Sequence, residues 1–264
     1  TKVFGGKNIP EANFNLSVLD KSGSPQSSWK AEVRSVETGK TVRTFDFGSL
    51  PPENVVWNGI DDNGKIASKG EYILVVTAID DAGNVGGGQS LEKITFDTTE
   101  ATLLLATKDK AFSPNNDRIK DTITISPVTE AKDVTTYDFK ITDAKGNVVY
   151  SKKDSKKLPM SFVWDGKDNE GIRCNDGTYK ASLAITTANG SDASAVTGDF
   201  EIDTKYPSLV AEVPYSFFSP DSDGVKDNLP VTIKDATNEK KWTAEVRNAK
   251  DKVVKSYVWS GKSN

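Results

Sequence analysis

At 264 residues, with 34 Lys and Arg against 38 Asp and Glu and a net charge of −4, the chain lacks the basic field that nucleic acid binding needs. It contains no histidine, which excludes a His-based triad, a His-assisted general base and most zinc sites. Its one cysteine, Cys174, cannot form an intramolecular disulfide, and in a polar turn without an adjacent base it reads as an incidental thiol.

The elements follow one another as short alternating strands. Trp29-Lys30-Ala31-Glu32-Val33-Arg34 is the first, and Trp57-Asn58-Gly59 closes a second apolar stretch. Residues 71–80 form a β-branched run that ends in Asp81-Ala82-Gly83-Asn84, a turn sequence, and so predict a central strand of a hairpin. Gly86-Gly87-Gly88 is not followed by a helix pattern, which makes a phosphate-binding loop a poor reading. Phe96-Asp97-Thr98-Thr99 ends the first unit. In the next, strands are predicted near 101–107, 121–126, 134–142, 147–151, 160–164, 177–187 and 194–202, with turn signals every eight to twelve residues. The basic run 152–157 reads as a solvated loop rather than an anion-binding patch. Asn189-Gly190-Ser191 supplies the residues that a tight hairpin turn after 178–187 requires. Residues 202–207 repeat the Asp-Thr junction before a third unit.

These elements recur. Trp29–Arg34 returns as Tyr137–Thr142 and Trp242–Arg247; Trp57-Asn58-Gly59 returns as Trp164-Asp165-Gly166 and, at a shorter interval, as Trp259-Ser260-Gly261. Phe112-Ser113-Pro114-Asn115-Asn116-Asp117-Arg118-Ile119-Lys120-Asp121 has its counterpart in Phe218-Ser219-Pro220-Asp221-Ser222-Asp223-Gly224-Val225-Lys226-Asp227. No stretch carries an apolar stripe at helical spacing with capping residues. The chain is therefore read as all-β: tandem immunoglobulin-like β-sandwich modules in an elongated array, with a first module over 1–98, a second over 99–204 and a partial third over 205–264. The recurring Trp is expected in the core, since a position repeated in every unit serves the architecture. Tyr215 and Phe217 are expected to cover a module junction.

Three signatures carry a resemblance: Phe-Ser-Pro with its acidic tract, Trp-Asp-Gly-x-Asp-x-x-Gly at 164–171 echoed at 57–64, and Gly-x-Tyr at 70–72 and 177–179. The chain resembles the Ig-like module of bacterial flagellar hook-capping (FlgD-type) proteins and the related surface-protein repeats of spirochaetes and gliding bacteria. The resemblance implies an extracytoplasmic location: periplasm, outer membrane or cell surface. Two departures stand out. Arg118 takes the place of Gly224, which strains a left-handed turn position if one is needed there. The first unit carries Phe4-Gly5-Gly6-Lys7-Asn8-Ile9-Pro10 where the acidic loop belongs, in an alignment that sets Asn15-Leu16-Ser17-Val18 against Asn228-Leu229-Pro230-Val231.

Asp and Glu concentrate in turns beside Gly and Asn, not at strand ends converging on a cleft, so no catalytic residues are assigned and enzymatic activity is not expected. Asp221, Asp223 and Asp227, with Gly224 to turn the backbone, are candidate ligands for a structural calcium; the alternative is that they cap backbone amides in Asx turns. No other cofactor is expected. The chain begins at Thr1 without a leader pattern and reads as a mature or excised segment; it has no apolar run of membrane-spanning length. The third unit stops before its Gly-x-Tyr strand and is expected to be completed by further chain or by a neighbour. The function expected is a non-catalytic structural or interaction segment that spaces or presents other domains, with a protein or cell-envelope partner; the alternatives are an accessory region of a secreted hydrolase and a ligand-binding adhesin.

Overall fold

A computed structural model describes residues 2–17, 25–155 and 157–261. Val18 and Lys156, both used above, lie outside the described residues. Every regular element described is a strand.

The first module comprises β1 (Lys2–Phe4), β2 (Ala12–Asn15), β3 (Gln26–Ser35), β4 (Thr41–Gly48), β5 (Asn54–Trp57), β6 (Gly70–Asp80), β7 (Val85–Gln89) and β8 (Ile94–Phe96). Its main sheet has the order β1-β8-β6-β3-β4, with β7 beside β6, and β2 and β5 form the facing pair. Period-two alternation decides which side faces inward: Ala31 and Val33 on β3, and Tyr72 and Leu74 on β6, are buried against Phe14, Val55 and Trp57 of the facing pair. The parallel pairing of β1 with β8 brings Phe4 opposite Phe96.

The second module repeats this plan with β9 (Leu104–Thr107), β10 (Ala111–Phe112), β11 (Ile123–Val128), β12 (Val134–Asp143), β13 (Val148–Asp154), β14 (Phe162–Trp164), β15 (Gly177–Thr187), β16 (Asp192–Val196) and β17 (Phe200–Ile202). The main sheet runs β10-β17-β15-β12-β13, and β14-β11-β9 face it. The single strand predicted over 194–202 is two strands. β16 pairs with the second half of β15 and β17 with its first three residues, and the chain crosses between them at Thr197. Thr197 is buried, accepting from Ala181 N on its Oγ1 and donating its own amide to Ala181 O, so one side chain stands in for the interrupted ladder. Ser90 does the same for Leu74 in the first module. Lys152 and Lys153, predicted in a loop, lie on β13 opposite Phe139 and Asp138. Charged side chains on a sheet edge discourage pairing with another chain, which explains the run without an anion.

Residues Thr204–Asn264 form a separate compact unit, distinct from Thr1–Asp203. Here β18 (Leu209–Glu212) pairs with β19 (Thr232–Ala236), and β20 (Glu239–Arg247) with β21 (Val253–Gly261). Ala236 is the one buried hydrophobic residue among those described in this unit. The hairpin corrects the Trp-x-Gly alignment. Its turn over 248–252 sets Trp259 opposite Trp242 on the same two-stranded sheet, so Trp259 belongs to the counterpart of β13. Trp57 and Trp164 end the next strand along, β5 and β14, which has no counterpart among the described residues of the third unit.

Candidate functional site

The Trp-Asp-Gly motif resolves into architecture. Trp57 and Trp164 are both 1% exposed, and each donates its indole N–H to a carbonyl three residues on, Ile60 at 2.9 Å and Lys167 at 2.7 Å. Gly59 and Gly166 hold φ of 78° and 77°, and a Cβ on them would reach within 2.3 Å of Phe96 and 2.8 Å of Pro114. Asp61 and Asp168 each accept two amides of the following turn, and the next residues, Asp62 and Asn169, accept the amides of Thr44 and Ser151 on the neighbouring edge strand. The Tyr of Gly-x-Tyr packs edge-on to the Trp at 4.8 Å and 5.2 Å and donates its hydroxyl to the carbonyl four residues back, Ser68 or Asn175. Every polar atom of the motif named here has a structural partner, so these contacts account for the motif as architecture.

The acidic loops share one geometry. In the second module Asp121 accepts the amides of Asn116 and Arg118, Asn115 that of Asp117, and Asp117 that of Ile119. In the third unit Asp227 accepts those of Ser222 and Gly224, Asp221 that of Asp223, and Asp223 that of Val225. Alternate residues take left-handed φ, 66°, 70° and 54° at Asn116, Arg118 and Lys120, and 65°, 87° and 56° at Ser222, Gly224 and Lys226. The left-handed position inferred at Arg118 is therefore real. Carboxylate oxygens of Asp221, Asp223 and Asp227 lie within 4.8 Å of one another. A carboxylate offers about four acceptor sites, so amide capping leaves capacity for a cation. Tyr215 and Phe217 take a role within this unit: Lys226 Nζ lies 5.1 Å and 4.1 Å from their ring centres, and the Tyr215 hydroxyl donates to Asn228 O.

Cys174 is half-buried, and burial first, then Asp168 and Asp165, pushes its thiol pKa up, away from thiolate character.

The site that sequence reasoning missed is the junction of the first two modules. The loop after β1, which replaces the acidic tract, receives the turn between β15 and β16. Gly6 N donates to Asn189 O at 2.9 Å and Asn8 N to Gly190 O at 3.0 Å. Asn189 Nδ2 donates to Asp97 O and Thr99 O, and Ser191 Oγ accepts from Ala101 N at 3.0 Å. Asn8 Nδ2 also donates to Asp192, whose carboxyl is held below the usual aspartate range by that bond and a second from Thr186. Asn189 and Ser191 are 2% and 7% exposed, unusual for polar residues on a hairpin turn. A Cβ at Gly6 would lie 2.6 Å from Ser191 N, and one at Gly190, with φ 84°, 2.6 Å from Ile9 N. The sequence did carry a signal: the acidic loop is lost where Gly5-Gly6-Lys7-Asn8 appears. Its meaning needed the partner turn, 180 or so residues away in sequence.

Residues 118–189 match the family model described as FlgD Ig-like domain. The match spans the Trp-Asp-Gly and Gly-x-Tyr signatures of the second module and begins after the Phe-Ser-Pro start of its acidic tract. No curated protein matches the chain by sequence. Among solved structures, the chain is similar to a tetra-tandem repeat in the extending region of a large adhesion protein (16% identity, 95% of this chain, 65% of that chain, TM-score 0.33). It is also similar to the structure described as bearing on host cell surface retention of a 1.5-MDa bacterial ice-binding adhesin (13% identity, 95% and 75%, TM-score 0.39). A third is the fibronectin(III)-like modules of Clostridium thermocellum CbhA (14% identity, 77% and 89%, TM-score 0.36). The chain thus spans just under two thirds of the first of these.

Proposed function

We propose that this chain is a non-catalytic structural segment of a larger extracytoplasmic bacterial protein, in which successive Ig-like modules are held in fixed register to space or present other domains. The observation that carries this reading is the junction, where a buried hairpin turn of the second module is tied by backbone and side-chain hydrogen bonds to the first module and to the linker. Short linkers with such ties restrict relative motion. The match of the second module to the FlgD Ig-like domain supports an extracytoplasmic setting. Pulsed dipolar spectroscopy with spin labels at Lys65 and Lys145 tests it. A narrow distance distribution that broadens in Gly6→Ala is expected; a broad distribution in the unaltered chain overturns the reading. Binding on a glycan or matrix-protein array that is lost on mutation of exposed loops would favour the adhesin alternative.

The three clustered carboxylates support a second element of this proposal, that the third unit's loop takes calcium. Calcium is then expected to shift the amide resonances of residues 221–227, with Asp223→Asn abolishing the shift. Unchanged spectra at millimolar calcium leave the carboxylates as amide caps alone.

A further inference from the structure

The second module shows what the first one lacks. There, β9 runs antiparallel to β11, pairing Thr107 with Ile125 and Leu104 with Val128, and it touches β16. Leu103 and Leu105 are both 9% exposed and belong to the core, whereas Leu104 between them is 70% exposed. Lys108, Asp109 and Lys110 then connect β9 to β10. In the third unit β18 pairs with β19 in the same position.

In the first module, β2 pairs with β5 along one edge, and among the described residues no strand pairs with the other. The pairing of Ala12 with Trp57 and of Ile123 with Trp164 aligns the two modules, so Phe14 corresponds to Ile125 and Leu16 to Pro127. These are the β11 positions that β9 covers. Beside them lies a cleft of about 890 Å³, lined by Phe14, Leu16, Trp29, Leu74, Val76 and the glycines of β7. Strand β7 is the counterpart of β16, so the cleft has the same two flanks between which β9 lies. Gly87 passes so close to β6 that a Cβ would meet Val76 O at 2.2 Å, and β7 therefore contributes no bulk to fill the space. Trp29 lines the cleft at 8% exposure, and its indole N–H is buried with no partner.

We propose that this cleft is the seat of a strand, supplied by the residues immediately ahead of Thr1 and carrying aliphatic side chains at alternating positions. It enters antiparallel to β2, connects to β1 as β9 connects to β10, and buries two alternate side chains in the cleft, the one that copies Leu105 lying opposite Leu16. Edge pairing supplies its affinity and the alternation its register.

The test extends the 264-residue chain at its start with the sequence of residues 102–108, so that Thr1 and Lys2 take the places of Asp109 and Lys110. The expected result is a higher Tm and slowed hydrogen exchange at the amides of β2. Replacing the leucines that copy Leu103 and Leu105 with Asp is expected to remove both effects. Extension with the protein's own preceding residues is expected to reproduce them. An unchanged Tm and unprotected β2 amides in the extended chain would overturn the proposal. So would concentration-dependent dimerisation of the unextended chain with the same amides protected, since a second copy would then close the cleft.

Discussion

Asn189 donates from Nδ2 to the carbonyl oxygens of both Asp97 and Thr99, at 2.9 Å each, so one side chain on a turn of the second module binds the residue after the first module's last strand and the linker beyond it. Its Oδ1 accepts from Thr187 Oγ1 and Ser191 N, which fixes the amide's orientation within its own turn. All four polar contacts of a buried amide are thereby used.

Asn189→Ala removes these bonds and leaves two carbonyls without their donor. Loss of buried hydrogen bonds with orphaned partners costs about 1–3 kcal/mol each at most, so a stability loss of about 2 kcal/mol is expected by denaturant titration. Asn147→Ala, on the exposed turn of the β12–β13 hairpin, is expected to cost clearly less, because water replaces its contacts with Asp143.

Gly6→Ala separates steric from conformational effects. Gly6 is not in the left-handed region, yet a Cβ there would lie within 2.6–2.8 Å of three backbone atoms of residues 189–191. The substitution is expected to open the junction while leaving each module folded, read as unchanged core amide shifts within modules and lost protection at Asn189 and Ser191. Gly39→Ala, which meets nothing within 4 Å but has φ 69°, is expected to cost about 1 kcal/mol of backbone strain and to leave the junction intact.

Asp192 gives the junction a pH dependence. Its carboxyl is lowered by the hydrogen bond from Asn8, then by that from Thr186. A group with a depressed folded-state pKa contributes stability that is present above its unfolded pKa and lost as the pH falls through the folded one. Asp192→Asn is therefore expected to lower Tm at neutral pH, with the difference from the unaltered chain vanishing below the ordinary aspartate range. The carboxylate is largely exposed, so the effect is small and shrinks with added salt.

Arg118→Gly is expected to stabilise the second module. Arg118 holds φ 70° at the position Gly224 fills in the third unit. Relief of left-handed strain, about 1–2 kcal/mol, exceeds the extra chain entropy of glycine, about 0.5–1 kcal/mol, for a net gain of roughly 0.5–1 kcal/mol measured by denaturant titration.

Trp164→Ala and Trp259→Ala discriminate the two alignments of the Trp-x-Gly ladder. Trp164 is fully buried among Phe112, Tyr179 and Phe200, and its removal is expected to cost about 3–5 kcal/mol in thermal or chemical melting. Trp259 stacks on Trp242 at 6.3 Å, the two half-buried in an otherwise largely exposed hairpin, and its removal is expected to melt that unit's hairpin without touching the rest.

Local pattern was enough for the strands whose side chains alternate cleanly: β3, β6, β12 and β15 lie where the sequence places them, because burial on one face imposes period two on the residues themselves. The capping turns were equally legible, since an Asp that accepts amides two and four residues on, as Asp80 and Asp143 do, acts over a few residues of chain. Trp259 was misplaced because a Trp-x-Gly string is the same on either strand, and only the hairpin register over residues 239–261 says which strand carries it.

The amino-acid sequence by itself determined that the chain is all-β, that its units repeat, and that no histidine chemistry is available, since these rest on composition and on periodicities within a few residues. Tertiary structure alone decided that Asn189 and Ser191 are buried, that Gly6 and Gly190 must lack side chains, and that one edge of β2 pairs with no strand among the described residues. Each depends on which distant segment comes into contact, and hydrogen bonds between residues 90 or more apart leave no periodic trace in the chain that makes them.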